Sequence, residues 1–192
     1  MRVASFDIVF QEIPGEVTLA LNLSNCPCHC PGCHSQHLWE DIGEPLDEEL
    51  LDSLISRYKG LITCVCFMGG DADPAEVLRL AEYIHRPATT DQLPTTNDQR
   101  PTTNDQRPIK TAWYSGRPAL PECLSANRSV STMACPCDAL SGIALPFDYV
   151  KLGPYIEELG GLKSPDTNQR LYKRVGDSWE DITSLFWRKT FE

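Results

Sequence analysis

Three cysteines define the chemistry open to this chain. Cys26, Cys30 and Cys33 follow the spacing C-x3-C-x2-C, and His34 comes directly after them. Thiolates clustered on one short loop are the ligands of iron–sulfur cubes. Three of them can hold three irons of a [4Fe-4S] cluster and leave the fourth iron without a protein ligand, open to a substrate or cofactor. A fourth thiolate would close the centre and suit it to plain electron transfer. The competing reading is a zinc knot of Cys26, Cys28 or Cys30, Cys33, and one of His29, His34 or His37. Zinc ribbons bring two ligand pairs set roughly a dozen or more residues apart, and a second pair is not evident. Cys28 inside the loop could compete as a ligand, but the cluster reading takes it as a bystander, because using it changes the spacing of the triad.

A loop of this kind needs rigid elements on both sides. Val3 to Phe10 reads as extended, Ile13-Pro14-Gly15-Glu16 as a turn, and Val17 to Leu23 alternates apolar with small or polar residues, which predicts a strand running into the cysteines. Leu46, Leu50, Leu51, Leu54, Ile55 and Tyr58 lie at helical spacing, with Asp47, Glu48 and Glu49 placed in the first turn, where the helix dipole favours them. Asp73-Pro74-Ala75-Glu76 starts a second helix with an N-cap Asp and Pro at its first position, and Val77, Leu80, Ala81 and Ile84 give it an apolar stripe. Between the helices, Leu61 to Met68 is a mostly apolar run, the pattern of a strand buried on both faces. Further strands are expected at Ile109 to Tyr114 and Phe147 to Leu152. This order implies βαβ units, a parallel sheet and an α/β fold in a single domain, 1–192.

In such a sheet the carboxyl ends of the strands open on one crevice, where ligands bind. The run from Leu61 ends in Gly69-Gly70-Asp71. The glycines can bring backbone groups close to a ligand, and Asp71 can accept from an ammonium; a lone Gly-Gly is also what a simple tight turn uses. Cys64 and Cys66 alternate with Thr63, Val65 and Phe67 and read as core thiols rather than ligands.

Of 192 residues, 17 are Lys or Arg and 27 are Asp or Glu, so the net charge of −10 argues against broad binding to nucleic acid or anionic membranes. The first residues lack the apolar core of an export signal, and no apolar run is long enough to span a bilayer. Nine cysteines without such a signal point to a reducing, cytoplasmic setting and to metal ligands or core thiols rather than disulfides. Prolines recur at 87, 94, 101 and 108, and TTNDQRP at 95–101 repeats at 102–108. With so little to bury, residues 87–108 are expected to be a disordered insertion in a surface loop. Residues 123–145, which contain Cys123, Cys135 and Cys137, receive no structural assignment; Cys135-Pro136-Cys137 leaves an auxiliary metal site open.

The cysteine loop and the Gly-Gly-acidic strand end resemble the radical SAM superfamily, and the closer resemblance is to the activating proteins of anaerobic ribonucleoside-triphosphate reductase. The stretches that carry it are Asp7-Ile8-Val9-Phe10-Gln11-Glu12, Pro14-Gly15-Glu16, Cys26 through Ser35, Leu38-Trp39, Gly69-Gly70-Asp71, Trp113-Tyr114-Ser115-Gly116, Tyr149 through Tyr155, and Thr167-Asn168-Gln169-Arg170. Gly32 stands where many superfamily members carry an aromatic residue.

The resemblance implies a truncated, open (β/α) barrel. It implies a [4Fe-4S] cluster on Cys26, Cys30 and Cys33, with S-adenosylmethionine on its open iron and Gly69, Gly70 and Asp71 holding the methionine moiety. No catalytic residue is expected beyond cluster and cofactor. The product would be a glycyl radical on the large subunit of the reductase, with a flavodoxin-like or ferredoxin-like electron donor. An activase of another glycyl-radical enzyme of the pyruvate formate-lyase type, a non-enzymatic zinc-binding module and an inactive relative are the alternatives. Trp113 and Tyr114 are expected to pack the sheet, and Asn168-Gln169-Arg170 to contact cofactor or partner or to form a satisfied surface turn.

Overall fold

The computed structural model describes residues 1–86, 108–119 and 145–187. The repeat insertion at 87–108, apart from Pro108, and Cys123, Cys135 and Cys137 lie outside the described residues. Leu145, counted above with the unassigned stretch, is described and buried in the core.

Among the described residues eight strands form one sheet: β1 (Arg2–Val9), β2 (Thr18–Leu23), β3 (Glu44–Pro45), β4 (Cys64–Met68), β5 (Lys110–Tyr114), β6 (Tyr149–Leu152), β7 (Arg170–Val175) and β8 (Ser178–Asp181). Their spatial order is β3-β1-β2-β4-β5-β6-β7-β8. The four central strands, β2, β4, β5 and β6, run parallel, and β1, β3, β7 and β8 join antiparallel at the flanks.

Two helices cover one face. The first, α1 (Glu48–Arg57), buries Leu51 and Leu54. Asp47 is its N-cap rather than a first-turn residue, and its side chain accepts from the Leu50 N–H at 2.9 Å. The second, α2 (Pro74–His85), is capped by Asp73, which accepts from the Glu76 N–H at 3.2 Å, and buries Val77, Leu80 and Ala81. These side chains meet Leu19, Leu21 and Leu23 of β2, Val65 and Phe67 of β4, Trp113 and Val150 in one core. The period-2 alternation of a strand sends Cys64 and Cys66 to the opposite face, into a second core with Ile13, Ala112, Tyr149, Leu171 and Ile182. Both thiols are fully buried, and burial raises their pKa values well above the ordinary thiol range. They are core residues.

Glu16 locks the amino ends of the parallel strands. Its carboxylate accepts from the Thr63 hydroxyl at 2.7 Å ahead of β4, from Lys110 of β5, and from the Tyr149 hydroxyl at 2.8 Å on β6. Burial pushes the Glu16 pKa up, but the hydrogen bonds from Lys110, Thr63 and Tyr149 together outweigh it and hold the carboxyl below its usual range. With the amino edge fixed in this way, the opposite edge carries the cysteine loop after β2 and the Gly69-Gly70-Asp71 turn after β4.

Candidate cluster site at the carboxyl edge of the parallel strands

The cysteine loop leaves β2 at Leu23 and is pinned at once: the Ser24 hydroxyl donates to the Ile42 carbonyl at 2.7 Å, and the Asn25 and Cys26 N–H groups donate to the carbonyls of Glu40 and Leu38. Three turns then need left-handed backbone, at Asn25 (φ 58°), His29 (φ 43°) and Gly32 (φ 71°). Only the last is glycine; Asn tolerates this region locally, whereas His does so at a cost. The His29 ring stacks on the indole of Trp39, centroids 4.9 Å apart and planes within 7°, which supplies a compensating contact. Cys33 donates its N–H to the Cys30 carbonyl at 3.1 Å. Its sulfur accepts the Ser35 N–H at 3.4 Å, the kind of hydrogen bond that stabilises a cluster thiolate.

At the end of β4, Gly69 and Gly70 both have positive φ, 103° and 83°. A side chain at Gly70 would fall 2.5 Å from a Val77 methyl of α2, so close packing against the helix requires glycine here as well as the turn. The Gly69 carbonyl accepts from the Trp113 indole N–H at 2.7 Å, and its N–H donates to the Tyr114 carbonyl at 2.9 Å. Trp113 is fully buried and packs the sheet, with its ring 5.8 Å from that of Phe147.

Asp71 is 1 % exposed. Its carboxylate accepts from the Ser115 hydroxyl at 2.6 Å and the Gly116 N–H at 2.8 Å, and it faces the Arg117 guanidinium at 3.8 Å. Arg117 also donates to the Asp71 carbonyl at 2.9 Å. Asp71 therefore latches the end of β4 to the end of β5. The Cys28 thiol donates to the same carboxylate at 3.8 Å. Cys28 fills the space above Gly116, where a Cβ would sit 2.7 Å from its sulfur. Burial, with the Asp71 carboxylate beside it, pushes the Cys28 thiol up to about 12. It is aimed at Asp71 and Gly116, across the crevice.

Lys151 of β6 completes this edge. Its buried ammonium donates to the carbonyls of Gly153 at 2.7 Å and Ser115 at 3.3 Å. Burial pulls its pKa down to about 8, opposed chiefly by the Asp71 carboxylate. The Thr167–Arg170 stretch braces the loop after β6: Asn168 donates to the Pro154 carbonyl at 2.9 Å and Thr167 to the Gly160 carbonyl at 3.1 Å.

The donor set fits an iron–sulfur cube. Cys26, Cys28, Cys30 and Cys33 are free thiols. Among the described residues no three His, Cys, Asp or Glu side chains converge as ligands of a single ion. A cube spreads its three thiolates over three irons, so they need not converge on one point.

A family model described as a 4Fe-4S single cluster domain matches residues 14–97. It spans the cysteine loop and Gly69-Gly70-Asp71 and covers less than half of the chain. No curated protein and no solved structure matches. The match supports an iron–sulfur cofactor and a metal-binding role.

The structure thus brings Cys26, Cys30 and Cys33 to the same edge as Gly69, Gly70 and Asp71, with Cys28 bridging the two groups. Ser115, Gly116, Arg117 and Lys151 received no individual role from the sequence. Their one signal is position: Ser115, Gly116 and Arg117 follow β5, which lies beside β4 and its Asp71, and Lys151 lies near the carboxyl end of β6, the next strand. Among the described residues no helix is long and apolar enough to cross a membrane.

Proposed function

We propose that this chain is a radical SAM activase that installs a glycyl radical on the large subunit of an anaerobic ribonucleoside-triphosphate reductase. The observation that carries the reading is the juxtaposition at one sheet edge of a C-x3-C-x2-C loop and the Gly69-Gly70-Asp71 strand end, within a stretch that matches an iron–sulfur family. Cys26, Cys30 and Cys33 would hold the cluster, and S-adenosylmethionine would lie over Gly69 and Gly70. When bound, the reduced cluster and S-adenosylmethionine supply one-electron cleavage and a 5′-deoxyadenosyl radical able to take hydrogen from a glycine.

The chain's own residues then have defined tasks. The Ser35 N–H, 3.4 Å from the Cys33 sulfur, would stabilise negative charge there. Asp71, already bound to Ser115 and Gly116, fixes the two strand ends and offers its remaining lone pairs to an ammonium. The Lys151 ammonium provides positive potential beneath the loop for an anionic group. We read the eight-stranded sheet as a truncated, open (β/α) barrel whose open side admits a protein substrate, in a cytoplasmic setting with a flavodoxin-like or ferredoxin-like donor.

The test is to reduce the anaerobically reconstituted protein with S-adenosylmethionine and measure 5′-deoxyadenosine, then add the reductase subunit and look for a glycyl radical by electron spin resonance. Cofactor cleavage with a radical on a pyruvate formate-lyase type enzyme but not on the reductase would reassign the substrate. Absence of cleavage from cluster-loaded, reduced protein would sink the activase reading.

A further inference from the structure

The loop after β6 reaches back over the cysteine loop at two points. Tyr155 meets His34 edge to face, with centroids 6.3 Å apart. Two residues on, the Glu157 carboxylate lies directly on Gly32: a Cβ there would be 2.6 Å from Glu157 Oε2 and 2.8 Å from its carboxyl carbon. Gly32 separates Pro31 from Cys33, so a formal negative charge rests on the backbone beside a cluster thiolate. Among the described residues no hydrogen bond or ion pair from a side chain neutralises this carboxylate. The loop that carries it is held in place by Asn168 on Pro154, by Thr167 on Gly160, and by Lys151 on Gly153.

We infer that Glu157 is a positioning residue that sets the reduction potential of the centre on Cys26, Cys30 and Cys33. This rests on the cluster part of the proposed function, not on the identity of the protein substrate. Reduction adds one electron to a centre that already carries three thiolates. A carboxylate nearby raises the energy of that added charge, and cluster potentials respond to net charge, hydrogen bonds to sulfur and solvent exposure. Glu157 therefore holds the potential below what the loop alone would give, making the reduced centre a stronger donor. The absence of a side chain at Gly32 is what lets the carboxylate come so close. Glu158, its exposed neighbour, carries the same charge without that contact and serves as the internal control.

The experiment uses the full chain, reconstituted with iron and sulfide, and reads the midpoint potential by anaerobic titration followed by electron spin resonance. Glu157→Gln is expected to shift the potential positive, Glu157→Lys to shift it further in the same direction, and Glu158→Gln to shift it less than either. Glu157 is exposed, so all three variants are expected to load iron and sulfide like the wild type. Equal potentials across the wild type and both Glu157 variants would overturn the inference, as would loss of the cluster from Glu157→Gln, since a charge acting only through space leaves loading intact. A wild-type protein that binds no cluster would overturn the underlying reading as well, and iron and sulfide content measured first separates these two failures.

Discussion

Replacing Asp71 with alanine removes an almost fully buried carboxylate that binds the Ser115 hydroxyl at 2.6 Å and the Gly116 N–H at 2.8 Å. Both donors sit at the end of β5, where water cannot readily take the place of the carboxylate. Each orphaned buried donor costs about 1–3 kcal/mol, partly offset because a charged group no longer has to be desolvated. A net loss of about 3 kcal/mol follows, or about 6–12 °C in Tm for a chain of this size. The Arg117 ion pair adds little, since that side chain is 41 % exposed. Urea and thermal unfolding of the metal-free protein, followed by circular dichroism, measure this without any cofactor. Ser115→Ala should cost about 1 kcal/mol alone and should cost less in the Asp71→Ala background, because the two residues share one interaction. Metal-free Asp71→Ala protein that unfolds within about 0.5 kcal/mol of the wild type would refute the latch between β4 and β5.

Glu16, with its carboxyl held below the usual range, stabilises the fold above the carboxylate pKa of the unfolded chain, and that contribution is lost as pH falls through its lower folded value. Denaturant midpoints should therefore fall below roughly pH 4, and Glu16→Gln should flatten that dependence. Gly116→Ala should force Cys28 out of its place, since the added methyl would lie 2.7 Å from the sulfur; faster alkylation of Cys28 in the metal-free protein is the readout. Cys28→Ser should leave iron and sulfide loading unchanged, because the thiol is directed at Asp71.

Much of the scaffold was legible because it rests on local physics. Asp73-Pro74 announced α2, helical spacing placed Leu51 and Leu54 inward, and alternation on β4 separated Val65 and Phe67 from Cys64 and Cys66. The β7–β8 hairpin escaped notice because Ser178-Trp179-Glu180-Asp181 reads as polar and exposed, although Gly176-Asp177 between the strands is a hairpin signal. At the site, the spacing of Cys26, Cys30 and Cys33 was visible in the chain. The partners of Asp71 were not, since Ser115 lies 44 residues away and meets it only once the strands are ordered β4 beside β5. Lys151 was hidden for the same reason: nothing in Tyr149-Val150-Lys151-Leu152 marks a lysine that turns its ammonium onto two carbonyls at the crevice edge.

Cys26, Cys30 and Cys33 are proposed to hold a [4Fe-4S] cluster. Iron and acid-labile sulfide, quantified in anaerobically reconstituted protein and in Cys30→Ser, test it most directly. A [4Fe-4S] cluster there means about four irons and four sulfides per wild-type chain, with broad visible absorption, and loss of both from Cys30→Ser. Colourless wild-type protein holding a single zinc ion would contradict it.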